Sequence, residues 1–107
     1  MDRKIAMISQ PMRGKTDEEI EAQREKAVKA LEAMGYSVVN TFFKGCFGGD
    51  ISENVNRPIY FLAKSLVSMS SCNAVYFCSG WDKARGCKIE HQVAQEYGLE
   101  IIYEENS

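Results

Sequence analysis

The residue types best suited to chemistry stand at 80–91, GWDKARGCKIEH, directly after an apolar run. Two glycines, Gly80 and Gly86, let the backbone approach a ligand closely. A helix that begins near Arg85 presents unpaired N–H groups at the positive end of its dipole, where an anion is favoured. Glu90 lies one turn further along, and helical side chains lean back towards the N-terminus, so its carboxylate should reach the same place. The stretch therefore indicates a site for a small anionic ligand.

Two of these residues also have an ordinary structural interpretation. A glutamate early in a helix is commonly a solvated residue that the helix dipole favours. Trp81 is commonly a packing residue, although a tryptophan beside glycines can also stack on a flat ring. Residue type and spacing alone leave both interpretations of Glu90 and Trp81 open.

Short apolar runs alternate with helical stripes along the chain, and they predict the elements that position this turn. Strands are predicted over the runs 4–9, 36–40, 73–78 and 100–104. The first helix begins at a capping box, Thr16 with Glu19, and stops at Gly35. Pro58 suits the first turn of a second helix, and a third helix is predicted over 86–97. The predicted buried stripes of the first two helices are Ile20, Ala27, Leu31 and Met34, and Ile59, Leu62, Leu66 and Met69.

The resulting order, β-α-β-α-β-α-β, predicts the fold class. It implies a four-stranded parallel sheet with helices on both faces, because right-handed crossovers leave few other arrangements. The expected architecture is one small flavodoxin-like or Rossmann-like α/β/α domain over residues 1–107. Ligands of open sheets bind beyond the carboxyl ends of the strands, so the candidate loops are 10–16, 41–57 and 79–86.

Composition limits the classes of partner and cofactor. The chain has 13 basic and 15 acidic residues and a net charge of −2, which gives no positive field for a nucleic acid polymer or an anionic membrane. No apolar run reaches the length of a signal peptide core or a membrane span. The four cysteines (Cys46, Cys72, Cys78 and Cys87) and the single His91 lack the spacing of a zinc site. We expect a cytoplasmic protein with reduced thiols, a small-molecule ligand, and no metal or cofactor.

The loop after the first strand, SQPMRGKT at 9–16, resembles a phosphate-binding P-loop at all but one position. Ser9 replaces the leading glycine, Pro11 removes one backbone N–H from the cradle, and no aspartate ends the third strand to hold magnesium. A P-loop is therefore not predicted. Arg13 and Gly14 nevertheless lie at the ligand edge of the sheet, where a simple turn has no need of an arginine.

Several stretches resemble the small uncharacterised domains grouped with nucleoside 2-deoxyribosyltransferases and deoxynucleotide N-glycosidases. They are ISQPMRGK after the first strand, YSVVN at the second, and AVYFCSGWDKARGCKIEHQVAQEYGLEIIY, which together span nearly the whole chain. The most specific part is the Gly-Trp pair followed by Gly86-x-x-x-Glu90 and then Ala94. The turn from Gln10 to Met12 is similar to the Gly-Pro-Met turn of that group.

The resemblance implies both a reaction and a set of site residues. It makes Glu90 the nucleophile that forms a covalent deoxyribosyl intermediate, which water or a second base resolves without a metal. The implied ligand is a nucleoside, a nucleotide or a related ribosyl metabolite. The expected binding residues are Gln10, Met12, Arg13, Gly14, Asn40, Gly80, Trp81, Arg85 and Gly86.

Four positions depart from the pattern of the catalytic relatives and keep a second function open. Ser65 stands where those relatives carry a second acid, and Asn73 replaces an aspartate. Ala84 replaces a serine that contacts phosphate, and Gln92 replaces a glycine. The alternative is a non-catalytic module that binds a nucleotide or related ribosyl metabolite.

A third interpretation concerns the aromatic residues of the long loop. Phe42, Phe43 and Phe47 stand in a Gly-rich segment, and one small domain has limited core to bury three rings. Because the relatives build their pockets at a subunit contact, we expect a homodimer or larger homo-oligomer. The remaining alternatives are a loop folded on its own core and a purely structural or partner-binding domain.

Overall fold

Four parallel strands and three α-helices follow one another along the chain in the computed structural model, which describes residues 4–39 and 56–104. The strands are β1 (Ile5–Ser9), β2 (Ser37–Val38), β3 (Ala74–Phe77) and β4 (Glu100–Tyr103). The helices are α1 (Asp17–Ala33), α2 (Arg57–Met69) and α3 (Arg85–Glu96), and a one-turn 3-10 helix (Trp81–Lys83) precedes α3. The predicted order of strands and helices is confirmed.

The sheet has the strand order β2-β1-β3-β4, with every neighbouring pair parallel. Ile8 lies opposite Tyr76 and Val75 lies opposite Ile101. The predicted fold class, a small α/β domain with a four-stranded parallel sheet, is confirmed. Strand order reverses at β1, which has β2 on one side and β3 on the other. The carboxyl ends of β1 and β3 therefore form the switch point at which such sheets bind ligands.

Two apolar cores cover the two faces of the sheet, because successive side chains of a strand point to opposite faces. The core on the α1 face includes Ala6, Ile8, Ala27, Leu31, Tyr36, Ala74, Tyr76 and Cys78. The core on the α2 and α3 face includes Met7, Met69, Cys72, Val75, Phe77 and Ala94. Side chains at the carboxyl ends of the strands can therefore be assigned to one face of the sheet or the other.

Local sequence signals account for the ends of α1 and α2. The Thr16 hydroxyl accepts the Glu19 amide at 3.1 Å, and the Glu19 carboxylate accepts the Thr16 amide at 3.0 Å, so the predicted capping box is present. Gly35 ends α1 with φ of +90°, a conformation that favours glycine. Asn56 caps α2 by accepting the Ile59 amide at 3.2 Å, and Pro58 lies in the first turn as predicted.

Two residues of the predicted apolar stripes are exposed. Met34 is the C-cap of α1, one residue beyond the helical stripe. Ile59 is 62% exposed, and Met69 is the only fully buried residue of α2. Ser65 of α2 bonds the Glu90 carboxyl, which lies beside the end of β1. Ile59 comes six residues before Ser65, so it lies roughly 9 Å further along the helix axis, beyond the edge of the sheet. In the described ranges, no helix has both the length and the apolar character to cross a bilayer.

Candidate functional site

Glu90 is buried at the carboxyl edge of the sheet, between α3 and β1. Its residue exposure is 7%, and it shares the inner face of α3 with Cys87 and Ala94, at the three- and four-residue spacing of one helix side. Ser9, the last residue of β1, donates its hydroxyl to Glu90 Oε1 at 2.5 Å. The carboxylate therefore has a fixed position beside the switch point.

The environment of Glu90 favours its neutral form. Burial raises the pKa of the Glu90 carboxyl, and the hydroxyls of Ser9 and Ser65, which bond it, lower the pKa only in part. The net result is a pKa above the ordinary value of 4.5. No lysine or arginine of residues 4–39 and 56–104 forms an ion pair with Glu90. Ser65 of α2 thus lies against the carboxylate.

Cys87 also lies beside the Ser9 hydroxyl. Burial raises the pKa of the Cys87 thiol to about 11, and the contact with Ser9 opposes that rise only in part. A thiol with this pKa stays protonated at neutral pH and is a poor nucleophile. Among these neighbours, Glu90 is the group with nucleophilic capacity.

The loops after β1 and β3 touch each other at the switch point. Gly80 has φ of +91°, and a Cβ at this position would lie 3.5 Å from Pro11 Cγ. The positive φ favours glycine here, whereas 3.5 Å is an ordinary van der Waals distance. Gly80 lies near the first loop, with Trp81 next along the chain.

Gln10 faces α1, on the other side of the sheet from Glu90. Its Nε2 donates to the Ile20 carbonyl at 2.6 Å and to Gln23 Oε1 at 3.2 Å. The Gln10 Oε1 atom is buried and has no hydrogen-bond partner among the residues that the structure describes. Because residues alternate along β1, Ser9 and Gln10 point to opposite faces, and only Ser9 reaches Glu90.

The other predicted residues of the first loop are exposed. Met12, Arg13 and Gly14 follow the buried Pro11, and Gly14 has φ of +80°. The Met12 carbonyl accepts the Lys15 amide at 3.2 Å, which forms the turn into α1. The predicted binding residue Asn40 lies outside the described residues, as do Phe42, Phe43 and Phe47 of the predicted long loop.

Trp81 packs inside an aromatic group rather than standing open in the loop. Its ring stacks on the His91 imidazole, with centroids 4.1 Å apart and planes 18° from parallel. Phe77 lies 5.4 Å and Tyr103 lies 5.8 Å from the Trp81 ring centre. A surface depression of about 480 Å³ adjoins this group and is lined by Phe77, Ser79, Gly80, Trp81, Asp82, Lys83, Tyr103 and Glu104. One face of Trp81 is therefore already occupied by a protein ring.

The first turn of α3 is open. Arg85 is its first residue and is exposed, and Ala84 at the N-cap offers no side-chain oxygen to the first amides. Gly86 is exposed too, and a Cβ added there would meet no atom of another described residue within 4 Å, apart from its own helix. The fold itself does not require glycine at this position, in contrast to Gly80.

Glu104, at the end of β4, is the second carboxylate of this edge, and the sequence analysis did not identify it. Its Oε1 accepts the Ser79 amide at 2.8 Å and Gln23 Nε2 at 3.2 Å, and its Oε2 pairs with Lys26 Nζ at 3.2 Å. Burial alone would raise the pKa of Glu104, but these donors outweigh burial and lower the pKa. Gln23 also donates to the Ser79 carbonyl at 3.3 Å, so this network joins α1 to the ends of β3 and β4.

Asn73, one of the departures noted above, has a structural partner. Its side-chain oxygen accepts the Ile5 amide at 2.8 Å, which satisfies the backbone where β1 begins. This lies at the opposite end of the strands from Glu90. Within the described parts of the chain, no group of three or more His, Cys, Asp or Glu side chains is placed to hold a metal ion.

The fold and this edge define a class: a small α/β domain with a parallel sheet and a buried carboxylate at its switch point. The chain belongs to the family described as Domain of unknown function (DUF4406), which matches residues 4–103. No curated protein and no solved structure matches the chain. The membership of a small uncharacterised domain family is thereby established.

Proposed function

We propose that this protein cleaves the bond between base and sugar of a nucleoside or nucleotide, with Glu90 as the nucleophile. One observation carries the proposal. A glutamate is buried at the switch point of a parallel sheet and is held by two serine hydroxyls, with no cationic partner among residues 4–39 and 56–104. Titratable groups with shifted pKa values in such places are more frequent at functional sites than elsewhere. The resemblance to nucleoside 2-deoxyribosyltransferases and deoxynucleotide N-glycosidases supports the same assignment.

The reaction follows from the chemistry of a carboxylate. As the bond from C1′ to the base nitrogen breaks, the base leaves with the bonding electrons and the sugar becomes oxocarbenium-like. Ionised Glu90 first stabilises this charge and then forms a bond from its oxygen to C1′. Water, or a second base, then attacks C1′ and releases Glu90. A proton from solvent neutralises the departing base, since Ser65 is not an acid at neutral pH.

Residues around the edge supply the proposed binding groups. The open first turn of α3 and the Arg85 guanidinium favour a phosphate or carboxylate. Gly86 supports this assignment, because the fold leaves space there that a ligand can fill. Met12, Arg13, Gly14 and Trp81 are proposed to border the base and sugar, with Gly80 giving close backbone approach. Gln10 and Asn40 complete the proposed set.

The second candidate is a binding module for a nucleotide or related ribosyl metabolite. Its support is the raised pKa of Glu90, which lowers the ionised fraction, together with a serine where the relatives carry a second acid. In this case the neutral Glu90 carboxyl donates a hydrogen bond to the ligand instead of attacking it.

Covalent labelling distinguishes the two candidates. The protein is incubated with a panel of 2-fluoro-2-deoxyribosyl nucleosides and nucleotides, and its mass is measured intact and after digestion. A sugar adduct on the peptide that carries Glu90, absent in Glu90→Gln, supports the glycosidase. Tight ligand binding by thermal shift, with neither an adduct nor released base for any member of the panel, rejects the glycosidase and supports the binding module.

We also propose a homodimer or larger homo-oligomer in the cytoplasm. Ile59 and Val67 of α2 are 62% and 71% exposed, and with Ala63 they form a row at four-residue spacing, the kind of ridge by which helices pack. Cys72, Cys78 and Cys87 are free thiols, which is typical of a reducing compartment. Light scattering at micromolar concentration should give at least twice the chain mass for the wild type and less for Val67→Glu. A monomer mass for the wild type contradicts the oligomer.

A further inference from the structure

His91, the residue after Glu90, contacts several aromatic side chains. Its imidazole stacks on Trp81 at 4.1 Å and packs edge-on to Phe77 at 4.9 Å. Its Nε2 lies 2.7 Å from the Tyr103 hydroxyl, within hydrogen-bond distance. The imidazole is therefore held by the 3-10 helix, by β3 and by the end of β4.

Glu90 and His91 point to different sides of α3, because consecutive helical residues are about 100° apart around the axis. Glu90 faces β1 and α2, whereas His91 faces Trp81 and Tyr103. The same helical turn thus holds the candidate nucleophile on one side and supports the loop after β3 on the other.

We propose that His91 is a positioning residue that fixes the plane of Trp81 and the turn 80–84 beside the Glu90 site. The hydrogen bond to Tyr103 fixes the imidazole ring, and the fixed imidazole supports the indole. Gly80, next to Trp81, lies close enough to Pro11 that a Cβ there would be 3.5 Å from the Pro11 ring, so the position of the indole also affects how the loops after β1 and β3 approach each other. The inference rests on the proposed function only where it concerns the ligand, since Trp81 and Gly80 belong to the proposed binding set.

The chain contains one tryptophan, so indole fluorescence reports on Trp81 alone. Acrylamide quenching is compared in wild type, His91→Leu, His91→Phe and Tyr103→Phe. Loss of the stack in His91→Leu should raise the quenching constant about twofold or more, whereas His91→Phe keeps a ring and should retain most of the protection. Tyr103→Phe keeps its own ring but removes the hydroxyl, and it should give an intermediate value.

Gln92→Leu is the matched control, because Gln92 is the exposed next residue of α3 and bonds only Glu96 among the described residues. It should leave quenching unchanged. If His91→Leu fails to fold, His91→Phe and Tyr103→Phe carry the comparison. Unchanged Trp81 quenching in His91→Leu, or equal quenching in the folded wild type and Tyr103→Phe, overturns the positioning role.

Measurement of KM and kcat separates a positioning role from a merely structural one. His91→Leu should raise KM or the ligand Kd about two- to tenfold, the range for loss of an aromatic pair, with kcat nearly unchanged. His91→Phe should restore the wild-type value. A fall in kcat with KM unchanged contradicts the positioning role. If wild type neither releases base nor binds any nucleoside or nucleotide, the proposed function fails, and Trp81 quenching still decides the role of His91.

Discussion

Two glutamates lie at the carboxyl edge of one sheet, and their carboxyl groups respond in opposite ways. Glu90 is buried against two serine hydroxyls, and its pKa is raised. Glu104 has only 10% of its side chain exposed, yet its pKa is lowered. Burial opposes ionisation at both, and at Glu90 it is the dominant influence. The donors differ as well: a backbone amide and an ammonium group contact Glu104, whereas the groups that lower the pKa of Glu90 are neutral hydroxyls.

The comparison separates a carboxylate that stabilises the fold from one that costs stability. Ionised Glu104 receives donors from Gln23, Lys26 and Ser79 and holds α1 against two loops. Ionised Glu90 is desolvated and has no cationic partner in the described part of the chain, so its ionisation costs stability. A group held in an unfavourable environment at a ligand edge is a stronger functional candidate than one satisfied by its neighbours. Substitutions at and around the two carboxylates test that distinction.

Replacing each glutamate by glutamine should separate activity from stability. Glu90→Gln keeps the shape and a hydrogen-bonding group but removes the nucleophilic charge, so base release should fall by about four to six orders of magnitude. Ligand binding should largely survive. Glu104→Gln is the matched control and should retain base release within about tenfold, because Glu104 is not placed to attack the sugar. Base release is measured by chromatography.

Equal losses of base release in the two variants would contradict this division, because they would trace activity to the shared edge rather than to Glu90. No release by the wild type with any nucleoside, together with tight binding, would favour the binding module.

A second carboxyl group introduced beside Glu90 should further distinguish an enzyme from a binding module. Ser65 contacts Glu90, so in Ser65→Asp the two carboxyls share one place, and their repulsion raises the pKa of at least one of them. A protonated Asp at this position can donate to the leaving base, and in the enzyme it should accelerate base release by about 10²- to 10⁴-fold. Release is followed from pH 5 to 8.

Ser65→Ala is the control for the lost hydroxyl and should give no acceleration. A binding module should gain nothing from either variant. If Ser65→Asp and Ser65→Ala change base release equally, the leaving group does not receive its proton from this position.

The sequence predicts the elements well because their signals are local. Apolar spacing, the Thr16 capping box and Gly35 lie within one element each, and all three are confirmed. The exposure of Ile59 was not predictable in this way. It depends on where α2 passes the end of the sheet, which is a relation between elements.

The same distinction explains what the sequence reveals of the candidate site. Glu90 is indicated by the sequence of its own helix, because it lies near the positive end of the helix dipole and at the edge where open sheets bind ligands. Ser9 stands out in the sequence only as a departure from a P-loop, although the two-residue period of a strand assigns it to the face opposite Gln10. Glu104 looks like a solvated residue after a strand, and its donors come from α1 and the loop after β3. No local pattern brings those three segments together.

Arg85 and the start of α3 are positive features at the N-terminal end of the helix that carries Glu90, and we expect them to serve the ligand rather than the carboxylate. Arg85→Ala should therefore weaken a nucleoside monophosphate by about 1 to 3 kcal/mol and leave the nucleoside nearly unchanged. Titration calorimetry with both ligands measures the difference. Lys88→Ala, an exposed cation one turn later in α3, is the control. Equal affinity of wild type for nucleoside and monophosphate would contradict an anion site here.

Gly86→Ala offers an independent check of the same place. The added methyl meets no neighbour among residues 4–39 and 56–104, and alanine is the better helix former, so stability should rise by up to about 1 kcal/mol. Ligand binding should weaken, since the methyl fills space proposed for the ligand. Urea unfolding and calorimetry measure the two effects, and unchanged binding of the monophosphate would leave Gly86 outside the site.

The smallest expected effect is the pH dependence of stability, where the two glutamates should differ in sign. Glu104 has a lowered folded pKa, so its contribution is present above the unfolded value of 4.5 and is lost as pH falls through the folded pKa. Glu90 has a raised folded pKa, so its contribution is present below 4.5 and is lost as pH rises through the folded pKa. Each slope is at most about 1.4 kcal/mol per pH unit.

Urea unfolding of wild type, Glu90→Gln and Glu104→Gln from pH 3.5 to 8 measures both slopes. Relative to wild type, Glu90→Gln should become more stable as pH rises above 4.5, and the stability deficit of Glu104→Gln should shrink as pH falls below 4.5. Differences from wild type that change with pH in the same direction at both positions would show that the two carboxylates experience one environment, and the comparison would fail.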